Sequence, residues 1–273
     1  GGHEIPGLNH VGLNEVIPDD PEAPYLLHLI RYGSNGPATV YPDAYDFAVA
    51  LTGQTGIGRA HHVPISHTAG TDNYIEIVNV KNEAVSVVLN CYDADGNLLD
   101  DSVITLRPRS QEHLYTSALI PLGTSGVVTL VPSQPDSIVA ETVNYYRRAE
   151  TGQILSAASA QASEPFGTVS FGSYNTFLGM SNWIRLINVT DNYASVTVNV
   201  NPYGEAQQKT ILLSPRSRID YNLSQSSDMS IGSQGYGAIA VQSSEVGGVM
   251  AETLRVRRQQ GGQIDFVSSS VMR

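Results

Sequence analysis

The amino-acid sequence predicts an all-β protein made of tandem antiparallel β-sandwich domains of the immunoglobulin-like size class. Three observations support this fold class. The chain contains a long internal repeat, apolar residues alternate with period two inside each copy, and turn residues separate the apolar runs. No segment has the sustained 3.6-residue period of a crossover helix, so a parallel α/β fold is not expected.

The internal repeat is the strongest of these observations. Residues 73–80 match residues 182–189, which lie 109 positions later, and residues 85–91 match 194–200 at the same spacing. Further matches follow in the same order: 106–110 with 213–217, 140–143 with 251–254, and 152–154 with 262–264. A repeat of about 110 residues has the length of one sandwich domain.

Alternation inside the repeat identifies strands. Apolar side chains occupy every second position from Val85 to Cys91, and the matched residues of the second copy follow the same pattern. Turn residues such as Asp95-Gly96 come next, as expected between hairpin-connected strands. Each copy is therefore predicted to be a set of short antiparallel strands.

The repeat divides the chain into four predicted parts. Residues 1–24 form an extended N-terminal arm, 25–70 a partial or divergent β unit, 71–165 the first sandwich repeat and 166–273 the second. Within the partial unit, the order of residues loosely echoes the second half of a repeat, from Ala140 to Leu155.

Composition restricts the function. Fifteen basic and 26 acidic residues give a net charge of −11, which disfavours nucleic acid and anionic membranes as partners. No run of about 18 apolar residues is present, so no membrane span is predicted. Only 15% of residues are charged, and a surface rich in neutral polar residues is typical of extracellular β-proteins. We therefore expect an extracellular or cell-surface location.

Together these segments resemble the tandem immunoglobulin-like β-sandwich repeats of bacterial secreted and cell-surface proteins. The resemblance covers residues 71–273 and rests on the strand Asn-Trp-Ile-Arg-Leu-Ile-Asn at 182–188, the Val-Thr-Val-Asn-Val strand at 196–200, a proline-containing turn, an Ala-Glu-Thr strand and a glycine-rich tail. It implies an architecture and a location, and these motifs carry no catalytic chemistry.

Two carboxylates occur at matched positions, Glu141 and Glu252, each on an apolar face of its predicted strand. A carboxylate in such a place needs a partner. The matched Arg109 and Arg216 are the candidates, so we expect one structural Glu–Arg ion pair in each domain. A catalytic glutamate is the alternative, but two copies of one feature in two copies of one fold favour a structural role.

Cysteine and histidine offer no clear catalytic or metal site. Cys91 is the only cysteine, and its counterpart Val200 indicates core packing rather than a nucleophile. His61, His62 and His67 form the only histidine cluster, but adjacent strand residues point to opposite faces, so loop histidines are favoured over zinc.

The acidic run beginning at Asp93 suggests a calcium loop, but Leu98 and Ile104 occupy the positions where an EF-hand needs Gly and Glu. A hairpin turn explains the run, and no cofactor or metal is predicted.

No catalytic motif occurs, so a non-enzymatic structural or adhesive surface protein is expected, with a filament subunit as one form of it. A glycan- or protein-binding sandwich module is the alternative, for which the 14 tyrosines could supply a platform. We further predict head-to-tail self-association by strand exchange, using apolar residues of the N-terminal arm. These residues are Ile5, Val11, Leu13 and Ile17. A flexible arm on a soluble monomer is the competing interpretation.

Overall fold

The chain is almost entirely β-structure. The computed structural model describes residues 15–17, 19–20, 27–33, 46–54, 56, 58–165, 167–201, 207–225, 229, 231–258, 262 and 264–273. Within these residues lie 18 strands and two three-residue 3₁₀ turns, at Thr116–Ala118 and Phe177–Gly179. The predicted all-β fold class is confirmed.

The strands have the following bounds in chain order. They are β1 His28–Gly33, β2 Phe47–Thr52, β3 His61–His67, β4 Thr71–Asn79, β5 Val85–Asp93, β6 Leu98–Leu106, β7 Gln111–Tyr115, β8 Thr124–Pro132, β9 Ile138–Arg147, β10 Ile154–Gln161, β11 Val169–Asn175, β12 Ser181–Asn188, β13 Ala194–Asn201, β14 Gln207–Leu213, β15 Arg218–Asn222, β16 Tyr236–Ser243, β17 Val249–Arg258 and β18 Ile264–Val271.

Strands β3 to β10 form a first sandwich and β11 to β18 a second, each made of two four-stranded antiparallel sheets. The first has sheet orders β3-β8-β5-β6 and β10-β9-β4-β7, and the second has β11-β16-β13-β14 and β18-β17-β12-β15. The two orders are identical when each unit is numbered from its own first strand. In both units the seventh strand pairs with the second, whereas the seventh strand of an immunoglobulin domain lies beside the sixth.

A hydrophobic core fills each sandwich. Residues from both sheets of the first unit, including Val63, Ile77, Leu89 and Leu130, pack in one buried cluster, and the second unit has an equivalent cluster. Cys91 lies in the first core at the position that Val200 occupies in the second, as the alternation predicts. Burial of these branched side chains is the main force that holds each pair of sheets together.

The first sandwich begins earlier than the sequence boundary at residue 71. Strand β3 pairs with β8 along its whole length, so His61 to His67 belong to the first sandwich, and the prediction that its histidines lie in a loop is wrong. Strands β1 and β2 form a separate antiparallel hairpin. The region 25–70 therefore contains both a hairpin and the opening strand of the following unit.

The asparagine that ends the first matched strand has the same structural role in both copies of the repeat. Asn79 donates side-chain hydrogen bonds to the carbonyls of Glu83 (2.7 Å) and Arg107 (3.0 Å). Asn188 makes the equivalent bonds to Asn192 (2.7 Å) and Ser214 (2.9 Å). Both amides are buried, so each serves as an internal brace of its turn.

Candidate functional site

The β1–β2 hairpin is the structural counterpart of the β9–β10 and β17–β18 hairpins. Ser159 Oγ on β10 donates a hydrogen bond to the carbonyl of Ala50 on β2, at 3.1 Å and 109 residues apart. Ser269 Oγ on β18 donates in the same way to the carbonyl of Ser159, 110 residues away. Strands β2, β10 and β18 therefore occupy equivalent positions, and each packs against the next one in the series.

The strand registers extend this equivalence to individual residues. Arg31 pairs with Val49, Asn144 with Ala158, and Arg255 with Ser268. The repeated contact involves Ala50, Ser159 and Ser269. Arg31, Asn144 and Arg255 each pair with the residue one position before these, so the three are equivalent. The chain thus carries three copies of the hairpin and two copies of the surface on which a hairpin rests.

The first junction is built around an acidic pair. Glu76 and Glu141 lie opposite each other on β4 and β9. Their neighbours Ile75, Ile77 and Ala140 point into the sandwich core, so both carboxylates lie on the opposite, outer face of the sheet. We call this surface of the sheet β10-β9-β4-β7 the acidic face.

Arg31 of the β1–β2 hairpin neutralises the acidic face. Its guanidinium binds both oxygens of Glu76 at 2.7 Å and lies 3.5 Å from Glu141 Oε1. Gln111 adds a hydrogen bond to Glu76 at 3.0 Å. This bidentate geometry is the strongest form of Arg–carboxylate contact.

The two carboxylates titrate differently. Burial, and then the nearby negative charge of Glu76, raises the pKa of Glu141 to about 7. Glu76 is also buried, but hydrogen bonding and the charge of Arg31 hold its pKa below the usual range. At neutral pH the pair therefore carries less than its full charge of two.

An apolar contact accompanies the ion pair. Val49 and Leu51 of β2 are buried against Ala157 of β10, and Phe47 meets Tyr145 edge-on with ring centroids 6.0 Å apart. Ala157 has a small side chain, which lets the hairpin lie close to the sheet. The hairpin thus covers the acidic face with both charge and apolar area.

The second junction joins the two sandwiches through a balanced ionic network. On the outer face of the sheet β18-β17-β12-β15, Arg185 binds Asp220 at 2.9 Å and Glu252 at 3.0 Å. Arg218 binds the other oxygen of Asp220 at 2.6 Å. Arg185 occupies the position that Glu76 has in the first unit, so this face carries its own cations. The paired arginines hold the pKa of Asp220 far below its usual range, despite its burial.

Arg218 also ties the second sandwich to the first. Its Nη1 atom donates to the carbonyls of Ile65 (2.7 Å) and Gly126 (3.0 Å), which belong to two strands of the first unit. Its backbone N–H donates to the carbonyl of Ala94 at 2.9 Å. The side chain is only 4% exposed, so these bonds lie out of contact with solvent.

Close backbone approach and a small apolar cluster complete this junction. A Cβ atom on Gly96 would lie 1.9 Å from the carbonyl oxygen of Pro215, so the turn after β5 fits against the second unit only with glycine there. Val127 of the first unit packs with Ile187 and Met250 of the second. These contacts hold the two sandwiches in one orientation.

The predicted Glu–Arg pairs are corrected by this geometry. Glu141 pairs with Arg31 and Glu252 with Arg185, instead of Arg109 and Arg216. Both glutamates are buried as expected, but on the outer face of their sheets and under a preceding hairpin.

The matched arginines have a different position. Arg109 and Arg216 sit in left-handed turns with φ of 52° and 56° at the end of each sandwich. Arg109 binds Asn82 at 2.9 Å, and Arg216 binds Asp191 at 2.9 Å. Both side chains bind the turn between the second and third strands of their own unit, at Asn82 and Asp191, instead of the glutamates.

Of the predicted assembly arm, only Ile17 lies within the described residues, where it is 78% exposed. Ile5, Val11 and Leu13 lie outside them. The neighbouring Glu15 forms an ion pair with Arg109 at 3.1 Å.

The remaining candidates serve structure. Burial raises the pKa of the Cys91 thiol to about 12, which disfavours the reactive thiolate. His62 is buried beside Thr129, and this burial lowers its pKa to about 3.

Asp93 Oδ1 accepts hydrogen bonds from the backbone of Asp95 and Asn97, both at 2.9 Å, as a hairpin turn requires. Across the described ranges, no group of three or more His, Cys, Asp or Glu residues is placed to hold a metal.

Among the residues with described positions, no helix has the length and apolar character needed to cross a membrane.

Sequence reasoning missed the acidic face and its cation. In the first complete unit, the position equivalent to Arg31 is occupied by Asn144 and not by an arginine. The internal repeat therefore did not reveal Arg31 as the cation of the acidic face. One signal was present: at an offset of 109, Glu76 of the first copy aligns with Arg185 of the second. Such a charge reversal in a repeat indicates that each copy meets a different neighbour.

Comparisons with known proteins add little. No protein-family model and no curated protein match the chain. A glycosyl hydrolase family 2 member from Bacteroides cellulosilyticus aligns at 6% identity and a TM-score of 0.18, covering 89% of this chain and 34% of its own. A Bacteroides uniformis beta-glucuronidase aligns at 7% identity and 0.17, covering 78% and 25%. An anti-sigma factor domain-containing protein aligns at 11% identity and 0.16, covering 78% and 80%. The chain spans a quarter to a third of the two hydrolases, and TM-scores this low carry no argument.

Proposed function

We propose that this chain is a non-enzymatic structural or adhesive protein of the extracellular surface, acting as a subunit that assembles head to tail into filaments. The observation that carries the proposal is the repeated junction. The same hairpin rests on the same sheet face at two successive places in one chain, through the equivalent contacts of Ser159 with Ala50 and of Ser269 with Ser159. A contact that recurs between successive units is suited to building a long array.

The specific contacts of the second junction support a role as a mechanical element or a rigid spacer. Domains joined by a flexible linker move relative to each other unless their interface is large or specific. Here the buried Arg218 spans the interface, and Gly96 lies directly against Pro215. A chain of such units forms a stiff rod, which suits a filament or a surface stalk.

The use of the buried ionisable groups also supports a non-enzymatic role. Glu76, Glu141, Asp220 and Glu252 form ion pairs at the two junctions. Their perturbed pKa values follow from burial beside arginines at packed interfaces. The resemblance to tandem immunoglobulin-like repeats of bacterial surface proteins agrees with an extracellular location.

Electron microscopy of the intact chain, with analytical ultracentrifugation across concentration, tests the proposal. We expect concentration-dependent rods that lengthen by whole subunits. A chain that stays monomeric at the highest soluble concentration contradicts the filament role.

One surface favours the alternative, a glycan- or protein-binding module. Phe177 and Tyr236 lie 6.1 Å apart between ring centroids at one end of the second sandwich, where Tyr236 is 61% exposed. The neighbouring Leu178 is 72% exposed. Paired exposed aromatics are a common platform for sugar rings or partner side chains. Binding to a glycan array that is lost in Tyr236→Ala would favour this function, and an array without signal would oppose it.

A further inference from the structure

A groove of about 250 Å³ opens on the second sandwich between β11, β17 and β18. Its lining includes Phe171, Ser173, Thr253, Arg255, Ser268 and Ser270. Arg255 reaches across it to Ser173 Oγ at 2.8 Å. Within the described part of the chain, no carboxylate lies within ion-pair distance of Arg255.

The same place on the first sandwich is occupied. By the registers above, Ala158 and Ala160 correspond to Ser268 and Ser270, and both alanines are buried. The second sandwich lies against this strand, with β18 packed along β10 and Ser269 Oγ bound to the carbonyl of Ser159. The groove on the second sandwich is therefore a docking position of the repeat that no residue in the described part of the chain covers.

The acidic face of the first sandwich is the complementary surface. It accepts a hairpin through Arg31, the residue equivalent to Arg255. Glu76 and Glu141 bind that guanidinium at 2.7 and 3.5 Å. The middle hairpin, with Asn144 in this position, rests instead on the face that supplies its own Arg185 and Arg218. Charge therefore matches the third hairpin to the acidic face and not to the balanced one.

We propose that the groove binds the acidic face of a second copy of this chain, with Arg255 replacing the Arg31 of that copy. The β17–β18 hairpin of one copy displaces the β1–β2 hairpin of the next, so the β1–β2 hairpin acts as an internal competitor for its own acidic face. This proposal rests on the head-to-tail function and names its contact surface. It also moves the exchanged element from the N-terminal arm to a hairpin.

The composition of the two hairpins determines which of them binds the acidic face more strongly. Val49 and Leu51 give the resident hairpin a buried apolar edge, whereas Ser268 and Ser270 stand at the equivalent places of the incoming one. The resident hairpin also competes intramolecularly, at a high effective concentration. Exchange is therefore suppressed in dilute protein and promoted by anything that weakens the resident hairpin.

The test uses the full chain carrying Val49→Ser and Leu51→Ser, which matches the resident hairpin to the incoming one. We expect sedimentation to show a concentration-dependent series of oligomers at concentrations where wild type is monomeric. Adding Arg255→Glu should return the protein to monomer, because a carboxylate would then face Glu76 and Glu141. Adding Arg258→Glu is the matched control, since this exposed arginine lies on the same strand outside the groove lining, and it should leave the oligomers intact.

A folded serine variant that remains monomeric overturns the proposal, and so do oligomers that Arg255→Glu and Arg258→Glu affect equally. If the serine variant does not fold, Ser268→Val with Ser270→Leu strengthens the incoming hairpin while leaving the resident one unchanged. We then expect oligomers that Arg255→Glu abolishes, and monomers overturn the proposal.

These experiments distinguish a failure of the proposed filament function from a failure of the proposed contact. Wild-type filaments that persist in Arg255→Glu would retain the function and overturn the contact. Arg255-dependent oligomers of the serine variant, without wild-type filaments, would retain the contact and contradict the function.

Discussion

Replacing Arg218 by methionine tests whether the junction between the sandwiches is as firm as its contacts indicate. Methionine approximates the aliphatic stem of the arginine side chain and removes the guanidinium. The change leaves the carbonyls of Ile65 and Gly126 without their donor and leaves Asp220 with Arg185 as its remaining cation. No other residue is altered on either side of the interface.

The expected cost follows from burial. Hydrogen bonds from a charged donor are worth about 1.5–3 kcal/mol each, and breaking one side of a buried ion pair costs about 3–5 kcal/mol. These contributions overlap, so we expect a loss of about 3–5 kcal/mol in the free energy that couples the two sandwiches.

Arg216→Met is the matched control, two residues away in the same turn. Arg216 pairs with Asp191, whose side chain is 82% exposed, and exposed pairs contribute about 0–1 kcal/mol. Its guanidinium also lies 5.8 Å from the ring centroid of Tyr92 in the first sandwich, and an exposed cation–π contact contributes about 0.5–1 kcal/mol, so Arg216→Met should cost less coupling than Arg218→Met. Urea unfolding should be a single cooperative transition in wild type and in Arg216→Met. It should separate into two transitions in Arg218→Met. Equal effects of the two substitutions, or a coupling loss below about 1 kcal/mol for Arg218→Met, would refute the reasoning.

Three further predictions concern the junctions and the core. Because the pKa of Glu141 is raised to about 7, its protonated form favours folding, and its contribution to stability should be lost as pH rises from about 4.5 through 7. Hydrogen exchange of β2 should show this slope in wild type, and Glu141→Gln should flatten it. Gly96→Ala should cost about 3 kcal/mol or more through its clash with Pro215, whereas Gly123→Ala, also at positive φ but with no atom within 4 Å, should cost about 1 kcal/mol in thermal or urea unfolding. Cys91 should react with a thiol reagent only after unfolding, and rapid labelling of the native protein would contradict its place in the core.

Local pattern was sufficient for the interior of each sandwich. Period-two alternation from Val85 to Cys91 identified the inward side chains of β5, and the match of Cys91 to Val200 placed the thiol in the core. The matched strands also predicted that the two units share one topology. These features depend on residues close in sequence, or on a copy of the same residues, and so a single sequence carries them.

Alternation also placed Glu141 on one face of its strand, but it could not say which neighbour covers that face. Both faces of the sheet β10-β9-β4-β7 are covered, one by the sandwich core and the other by the β1–β2 hairpin. An apolar face was therefore mistaken for the interior, and the nearest matched arginine, Arg109, was chosen as the partner.

The amino-acid sequence by itself determined the β-class, the repeat and the two cores, because hydrophobic periodicity and turn chemistry act over a few residues. Only the tertiary structure decided which charges meet. Arg31 reaches Glu76 across 45 positions of chain, and Arg218 reaches Ile65 across 153. Such partners are chosen by how whole units dock, since the Coulomb energy of a buried pair depends on distance in space and on exclusion of water, neither of which is encoded in spacing along the chain.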